Sequence, residues 1–203
     1  MHIVDGALSN PVVIGGALAA AGGIAWGLKS LDLDRIPTAG VLSASFFVAS
    51  LIHVPIGPSS VHLILNGLAG LMLGWAAFPA LFVGLLLQAV FFGFGGLTVL
   101  GINTLNIALP AVLVGVLLRP LIGRGTPVHG AIWGGIGGAS AIAATTVMVG
   151  GALALSGDQF LPAAKLVFVT HIPVMAIEAV LTGFAILLAR KAKPELFFTR
   201  APA

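Results

Sequence analysis

Apolar residues run through this chain in long stretches, and polar residues are confined mainly to the short segments between them. Proline, glycine and charged residues separate seven apolar stretches, most of them long enough for a helix that crosses a bilayer. We therefore predict an all-α integral membrane protein, a bundle of about seven transmembrane helices that forms one membrane domain over residues 1–203. The predicted spans are residues 10–29, 38–54, 59–76, 78–100, 103–123, 128–155 and 160–190.

The composition supports this class and excludes several others. Of the 203 residues, 59% are hydrophobic and 7% are charged, whereas a soluble domain carries about 25% charged residues. The chain has no cysteine, which excludes disulfides and thiolate metal sites. It has no G-x-x-x-x-G-K-[ST], H-E-x-x-H or G-x-S-x-G motif, so we expect neither ATP hydrolysis by this chain nor another enzymatic activity.

The distribution of basic residues predicts how the chain lies in the membrane. With seven alternating spans, eight of the nine basic residues fall in segments on one face, and only Lys165 lies opposite. The positive-inside rule puts that face in the cytoplasm and the amino terminus outside. We expect a multi-pass protein of the bacterial cytoplasmic (inner) membrane, without a signal peptide and without nucleic acid as a partner. The eight basic residues are Lys29, Arg35, Arg119, Arg124, Arg190, Lys191, Lys193 and Arg200.

The first two residues form a candidate metal chelator. The α-amine of Met1, the backbone nitrogen of His2 and the Nδ1 atom of His2 can bind one metal through fused five- and six-membered rings. Nitrogen donors in a plane suit Ni(II) or Cu(II), with Co(II) as a further option, whereas Zn(II) prefers a tetrahedron. The fourth donor must come from elsewhere in the chain. The alternative is that His2 is an incidental polar residue after the start codon.

The predicted topology brings other histidines to the level of this chelator. The segment between spans two and three, residues 53–62, lies on the outer face and carries a histidine at each end. We expect His62 to be the fourth nitrogen donor; the alternative is a histidine at a helix end that is hydrogen-bonded to a carbonyl. For His53 we expect a supporting role, such as holding an imidazole ring in one tautomer.

Five further polar residues are candidates for supporting or separate roles. Asn103 and Asn106 cap a helix or hydrogen-bond to a segment over the site. Asp5 caps the first helix, which we favour, or holds the amino-terminal arm. His171 and Glu178 are seven residues apart on one face of the last span. Since ionisable groups inside lipid are costly, Glu178 is a proton-linked group, a subunit contact or a helix-packing residue, and its role stays open.

Three stretches together resemble the CbiM/NikM family, the substrate-binding membrane components of energy-coupling factor transporters for cobalt and nickel. These stretches are residues 1–6, 57–63 and 101–106. The resemblance implies seven helices with the amino terminus inserted into the bundle from outside. It also implies a square-planar metal bound by the Met1 amine, the His2 amide nitrogen, the His2 imidazole and the imidazole of His62. Many relatives have Asn where this chain has His53, which favours a supporting role there.

The resemblance also implies an activity and partners. The implied activity is high-affinity binding and ATP-dependent uptake of Co²⁺ or Ni²⁺ as transported substrate, with no resident cofactor. The implied partners are a transmembrane coupling subunit, cytoplasmic ATPase subunits and often a small accessory membrane subunit. The alternatives are a stand-alone secondary metal-ion transporter or channel, and an intramembrane metalloenzyme, which would need an open coordination position. The sequence does not separate cobalt from nickel, nor does it assign a role to His171 or Glu178.

Overall fold

The computed structural model describes residues 2–51, 53–56 and 59–197 of the chain. Most of these residues lie in α-helices, and two short strands form one antiparallel hairpin. Short 3₁₀ turns precede α2, α4 and α7 and follow α7. The elements are α1 (Asn10–Lys29), α2 (Ile36–Ala49), β1 (His53–Ile56), β2 (Ser59–His62), α3 (Asn66–Leu73), α4 (Ala77–Phe92), α5 (Leu100–Ile122), α6 (Pro127–Ala154) and α7 (Leu161–Ala192).

Five helical segments are long and apolar enough to cross a membrane. They match the multi-pass architecture expected from the sequence, but α2 has only 14 residues and α3 only eight. The count of seven spans, with the amino terminus outside and the carboxyl terminus in the cytoplasm, stays a prediction. The five segments are Asn10–Lys29, Asn66–Phe92, Leu100–Ile122, Pro127–Ala154 and Asp158–Ala192.

The hairpin is the main departure from the predicted helices. The spans predicted over 38–54 and 59–76 are wrong at their facing ends, since residues 53–56 and 59–62 pair as antiparallel strands, with His53 opposite His62. This segment carries prolines at positions 55 and 58, and proline removes an N–H that a helix interior needs. The hairpin places both histidines beside the end of the bundle at which α5 begins, which we call the His2 end.

The segment Asn66–Phe92 turns back on itself between α3 and α4. Asn66 contacts Ile107 of α5 at the start of α3, and Gly70 packs against Ala111 one turn later, so α3 runs parallel to α5 and away from the His2 end. The turn begins at Gly74, whose φ of +60° suits a residue without a side chain. α4 then returns towards the His2 end and stops at Phe92, so the span predicted over 78–100 is too long.

Glycines set the spacing between helices in the middle of the bundle. A Cβ atom placed on Gly70 would lie 1.8 Å from the backbone oxygen of Ala111, and one on Gly138 would lie 2.6 Å from that of Glu178. Only a residue without a side chain permits backbones to come this close. α6 and α7 pack along much of their length in this way.

Arginines join segments at the opposite end of the bundle. This end lies away from His2, because α5 begins beside the amino-terminal arm and ends near Arg119. Each guanidinium donates hydrogen bonds to carbonyl oxygens of a neighbouring segment, a match for donors with several N–H groups. The contacts run from Arg35 to Met72, from Arg119 to Leu196, and from Arg190 to Gly123 and Gly125.

Candidate metal centre

The amino-terminal arm, which is the part of the chain before α1, folds into the His2 end of the bundle. Ile3 is fully buried, and Asn103 of α5 binds its backbone on both sides. Ile3 N donates to Asn103 Oδ1 at 3.0 Å, and Asn103 Nδ2 donates to Ile3 O at 2.9 Å. Asp5 N donates to Gly95 O at 2.8 Å. The backbone of the arm is thus held at Ile3 and at Asp5.

Asp5 holds the arm to α5 and does not cap α1. Its Oδ1 atom accepts hydrogen bonds from Thr98 Oγ1 at 2.5 Å and from Val99 N at 3.3 Å, at the start of α5. The residue before α1 is Ser9. The favoured interpretation of Asp5 as the cap of the first helix is therefore wrong, because its carboxylate reaches the helix start that lies across from the arm.

Two histidines from distant parts of the chain meet at the centre of this end. His2 Nδ1 lies 3.1 Å from His62 Nε2, and the ring centroids are 4.6 Å apart with planes inclined by 24°. Each residue is only 3% exposed. The arm supplies one ring and β2 supplies the other, so the pair forms only when both segments are in place.

The other nitrogens of the pair determine where the protons reside. His2 Nε2 lies 2.7 Å from Gln88 Oε1, and His62 Nδ1 lies 2.8 Å from Leu63 O. Both partners are oxygens that accept, so these nitrogens carry the N–H groups. A neutral imidazole has one N–H, which leaves His2 Nδ1 and His62 Nε2 as two lone pairs beside each other. Two lone pairs at this distance suit a cation bound to both.

Burial keeps both rings in the form that can bind a metal. Removal from water lowers the pKa of His2 from its ordinary 6.5 to about 4, and the nearby His53 lowers it further against the opposing hydrogen bond to Gln88. The pKa of His62 is lowered to about 4, again mainly by burial. A metal ligand must be deprotonated, and both imidazoles are neutral at pH 7.

Gln88 of α4 is a part of this site that the sequence interpretation missed. It is fully buried, its Oε1 atom accepts from His2, and its Nε2 atom donates to Ser50 Oγ and, at 3.5 Å, to Phe47 O. These contacts of the amide nitrogen orient the oxygen towards His2. The signal was a lone amide within an apolar predicted span, which needs a partner when it is buried.

His53 lies beside the pair without hydrogen-bonding to it among the described residues. Its ring packs edge-on against Phe94 at 4.2 Å, and its Nδ1 atom lies 3.3 Å from Leu51 O. The ring is half-buried, and the hairpin register sets it opposite His62. This placement leaves the supporting role of His53 as a prediction.

The remaining candidates lie deeper in the bundle. Asn106 is buried, and its Nδ2 atom has no hydrogen-bond partner among the described residues. His171 Nδ1 donates to Val167 O at 2.6 Å within α7. Glu178 accepts two backbone hydrogen bonds from the segment that joins β2 to α3. These three residues do not enter the contact between His2 and His62.

Met1, the remaining predicted ligand, lies outside the described residues. Within those residues, no three side chains of His, Cys, Asp or Glu come together as a metal-binding group. A metal held by the histidine pair would therefore need donors other than such side chains.

The chain matches one known protein family along almost its whole length. Residues 2–196 match the CbiM family model, described as the cobalt uptake substrate-specific transmembrane region. The chain belongs to the CbiM family. The predicted membership is confirmed, and the match covers every described helix.

Individual relatives agree with this assignment. A putative metal transport protein of Haemophilus influenzae is 42% identical over 208 residues, which cover 97% of this chain and 96% of that protein. A fused nickel transport protein of Rhodobacter capsulatus, NikMN, is 38% identical over 136 residues, 63% of this chain and 39% of that protein. A crystal structure of a truncated transition metal transporter aligns with a TM-score of 0.75 at 28% identity, covering 94% of this chain and 99% of that one.

Membership of the CbiM family establishes the broad character of the protein. It is a multi-pass membrane protein of a family that supplies a component of metal transporters and is not known for enzymatic activity. Members of the family function with partner subunits. The structural match to a transition metal transporter agrees with the helical membrane fold described above.

Proposed function

We propose that this CbiM-family protein captures Co²⁺ or Ni²⁺ at its His2 end and delivers it to an ATP-driven energy-coupling factor transporter. The observation that carries the proposal is the buried contact of His2 Nδ1 with His62 Nε2 at 3.1 Å. Each nitrogen presents a lone pair because the other nitrogen of its ring donates to an oxygen.

The distance between these nitrogens fits neighbouring corners of a square plane. A metal–nitrogen bond is about 2.0–2.1 Å long, so adjacent donors in a square plane are about 2.8–3.0 Å apart and opposite donors about 4 Å apart. In the chelate formed by Met1 and His2, the amide nitrogen lies between the amine and the imidazole. The free corner is next to the His2 imidazole, where we place His62. The proposal requires that Met1 carries a free amine.

The hydrogen bonds around the arm would hold the donors ready before the metal arrives. Asn103 fixes Ile3, and Gln88 fixes the tautomer of His2. Preorganised donors lose little conformational freedom on binding, which raises affinity. The same arrangement offers a way to release the metal, since His2 and His62 belong to different segments. Separation of the arm from the hairpin would break the plane without unfolding a helix.

The proposed partners are those that the resemblance to the CbiM/NikM family implies. Cytoplasmic ATPase subunits would hydrolyse ATP, for which this chain has no nucleotide-binding loop. A transmembrane coupling subunit would transmit the change, with a small accessory membrane subunit in some systems. We propose that the end with Arg35, Arg119 and Arg190 faces the cytoplasm. The membrane is then the bacterial cytoplasmic membrane.

Metal content of purified variants tests the ligand assignment. We expect one equivalent of Ni²⁺ or Co²⁺ in the purified protein, little or none in His2→Ala and His62→Ala, and close to one equivalent in His53→Ala. Circular dichroism and size-exclusion elution check that each variant is folded. One equivalent of metal in folded His62→Ala would contradict the proposal. So would a result in which only His53→Ala loses all of its metal.

Uptake measurements test the dependence on ATP. In cells that produce this protein with its coupling and ATPase subunits, we expect accumulation of radioactive nickel or cobalt that stops when the nucleotide-binding lysine of the ATPase is replaced. The His62→Ala variant is the matched control for uptake that bypasses the site. Proton-driven uptake by this protein alone in liposomes would instead support a stand-alone secondary transporter.

A further inference from the structure

We propose that Glu178 of α7 is a positioning residue for the metal site, because its carboxylate holds the backbone that presents His62 to His2. This inference rests on the proposed function and adds to it a role for a residue deep in the bundle. Glu178 does not touch either imidazole. It acts through the short segment Leu63–Leu65 that joins β2 to α3.

The contacts of the carboxylate are short and specific. Glu178 is fully buried, and its Oε1 atom accepts hydrogen bonds from Ile64 N at 2.6 Å and Leu65 N at 2.8 Å. Its Oε2 atom has no hydrogen-bond partner among the described residues. The hydrogen bonds of this buried acid thus go to two successive amides, 113 and 114 residues away in sequence.

Those two amides lie next to the fourth metal donor. His62 is two residues before Ile64, and the Nδ1 atom of His62 donates to the carbonyl of the intervening Leu63. That hydrogen bond leaves Nε2 of His62 as the lone pair that faces His2. A shift of the backbone at Ile64 therefore moves the Leu63 carbonyl and turns the imidazole away from His2.

The local backbone explains why an anchor is needed here. Leu65 has φ of +55° and ψ of +20°, a left-handed conformation that a leucine rarely adopts. Such a conformation persists only when surrounding contacts determine it. Leu65 also directly precedes α3, and a carboxylate at a helix amino terminus is favoured by the unpaired N–H groups there. Glu178 supplies this anchor through its hydrogen bonds with the amides of Ile64 and Leu65.

The location of Glu178 on α7 gives this contact a consequence for transport. α7 extends from the level of the hairpin to the end of the bundle where Arg190 binds the backbone of the loop between α5 and α6. A displacement of α7 therefore moves the anchor of His62. Loss of the fourth donor weakens the square plane, so movement of this helix favours metal release.

The test compares two substitutions of Glu178 with one at Thr182, all in the purified full-length protein. Thr182 is the matched control, because it lies one turn further along α7, is fully buried and has a hydroxyl without a hydrogen-bond partner among the described residues. Dissociation of Ni²⁺ into excess chelator is followed by visible absorption, and thermal unfolding is measured on the metal-free forms. The variants are Glu178→Ala, Glu178→Gln and Thr182→Val.

We expect Glu178→Ala to accelerate Ni²⁺ dissociation about 10- to 100-fold, the usual effect of losing a group that orients a ligand. Its absorption spectrum should shift away from that of the unsubstituted protein, as expected when one of four nitrogen donors is displaced. Glu178→Gln should lie between Glu178→Ala and the unsubstituted protein, because an amide oxygen still accepts hydrogen bonds. Thr182→Val should stay within about twofold, as expected for a residue that does not hold a ligand.

Several outcomes would overturn the inference. One is a Glu178→Ala protein with an unchanged dissociation rate and spectrum; another is an equal acceleration in Thr182→Val. If Glu178→Ala does not fold, Glu178→Gln decides, and an unchanged rate in that variant contradicts the role of the carboxylate. Absence of Ni²⁺ and Co²⁺ binding by the unsubstituted protein would refute the proposed function itself. That result differs from a failure of the role of Glu178 alone.

Discussion

The His2 end and the glycine-packed middle of the bundle are both buried, but different forces hold them together. In the middle, α3 meets α5 and α6 meets α7 through glycines that let backbones touch. At the His2 end, the arm, the hairpin and the segment after it are attached by hydrogen bonds that the side chains of Asn103, Gln88 and Glu178 accept. Close packing tolerates almost no change in volume, whereas individual hydrogen bonds can be broken and made again. We therefore expect the packed middle to contribute most to stability, and the His2 end to permit reversible binding.

Breaking the close packing in the middle of the bundle should destabilise the whole protein. Gly70→Ala puts a Cβ atom 1.8 Å from the backbone oxygen of Ala111, so α3 and α5 must separate. We expect destabilisation of about 1–3 kcal/mol or more, measured by thermal unfolding in detergent. Gly151→Ala is the control, because its Cβ atom meets nothing within 4 Å, and we expect a small gain of about 0.5–1 kcal/mol. Equal unfolding temperatures for the two variants would contradict the assigned role of close packing.

The next effect concerns the attachment of the arm. Asn103→Ala removes both hydrogen bonds to the backbone of Ile3, so we expect nickel affinity to fall about 10- to 100-fold with little change in helical content. Asn106→Ala is the matched control three residues along α5, since its buried amide nitrogen lacks a hydrogen-bond partner among the described residues. Isothermal titration with Ni²⁺ measures both. Equal losses in the two variants would remove the special role of Asn103.

A smaller effect is expected from the tautomer of His2. Gln88→Leu removes the acceptor for His2 Nε2–H, so the proton can move to Nδ1 and compete with the metal. We expect affinity to fall about tenfold. Gln88→Glu retains an acceptor and should keep most of the affinity. The same titration measures both, and a leucine variant that binds as tightly as the glutamate variant would show that the tautomer does not limit binding.

The pH dependence of stability gives a further test of the His2 end. The pKa values of His2 and His62 are lowered to about 4 in the folded protein, from 6.5. Between pH 4 and 6.5 the unfolded chain therefore binds more protons, and the free energy of unfolding falls as the pH falls. Above about pH 7 we expect no contribution from these rings. Thermal unfolding of the metal-free protein should show a weaker slope in this window for His62→Ala; an unchanged slope would contradict the lowered pKa of His62.

Helices that are formed by long apolar stretches could be predicted from the sequence. Long apolar stretches predicted α1, α5, α6 and α7 closely. The hairpin was missed because the sequence over 53–62 combines prolines with apolar residues that also occur at helix ends. The span predicted over 78–100 ran past Phe92. The residues that follow are mostly apolar, but the glycines at positions 93, 95 and 96 have positive φ and do not continue the helix.

At the candidate site, side-chain contacts that depend on how distant segments meet could be predicted only in part. His2 and His62 could be paired from the sequence, because the predicted topology put both on one face of the membrane. Gln88 could not be assigned, since its role depends on the return of α4 to the His2 end. Asp5 was assigned to the wrong helix because a cap was sought nearby in sequence, whereas its partners lie 93 and 94 residues away.

In the proposed metal site, His62 completes a plane of nitrogens begun by the amine of Met1 and by His2. The most direct measurement is metal content and visible absorption of the purified protein with and without one extra residue before Met1. We expect one equivalent of Ni²⁺ with a square-planar spectrum, lost on extension because the amine moves out of the five-membered ring. An extended protein that retains one equivalent with the same spectrum would contradict the claim.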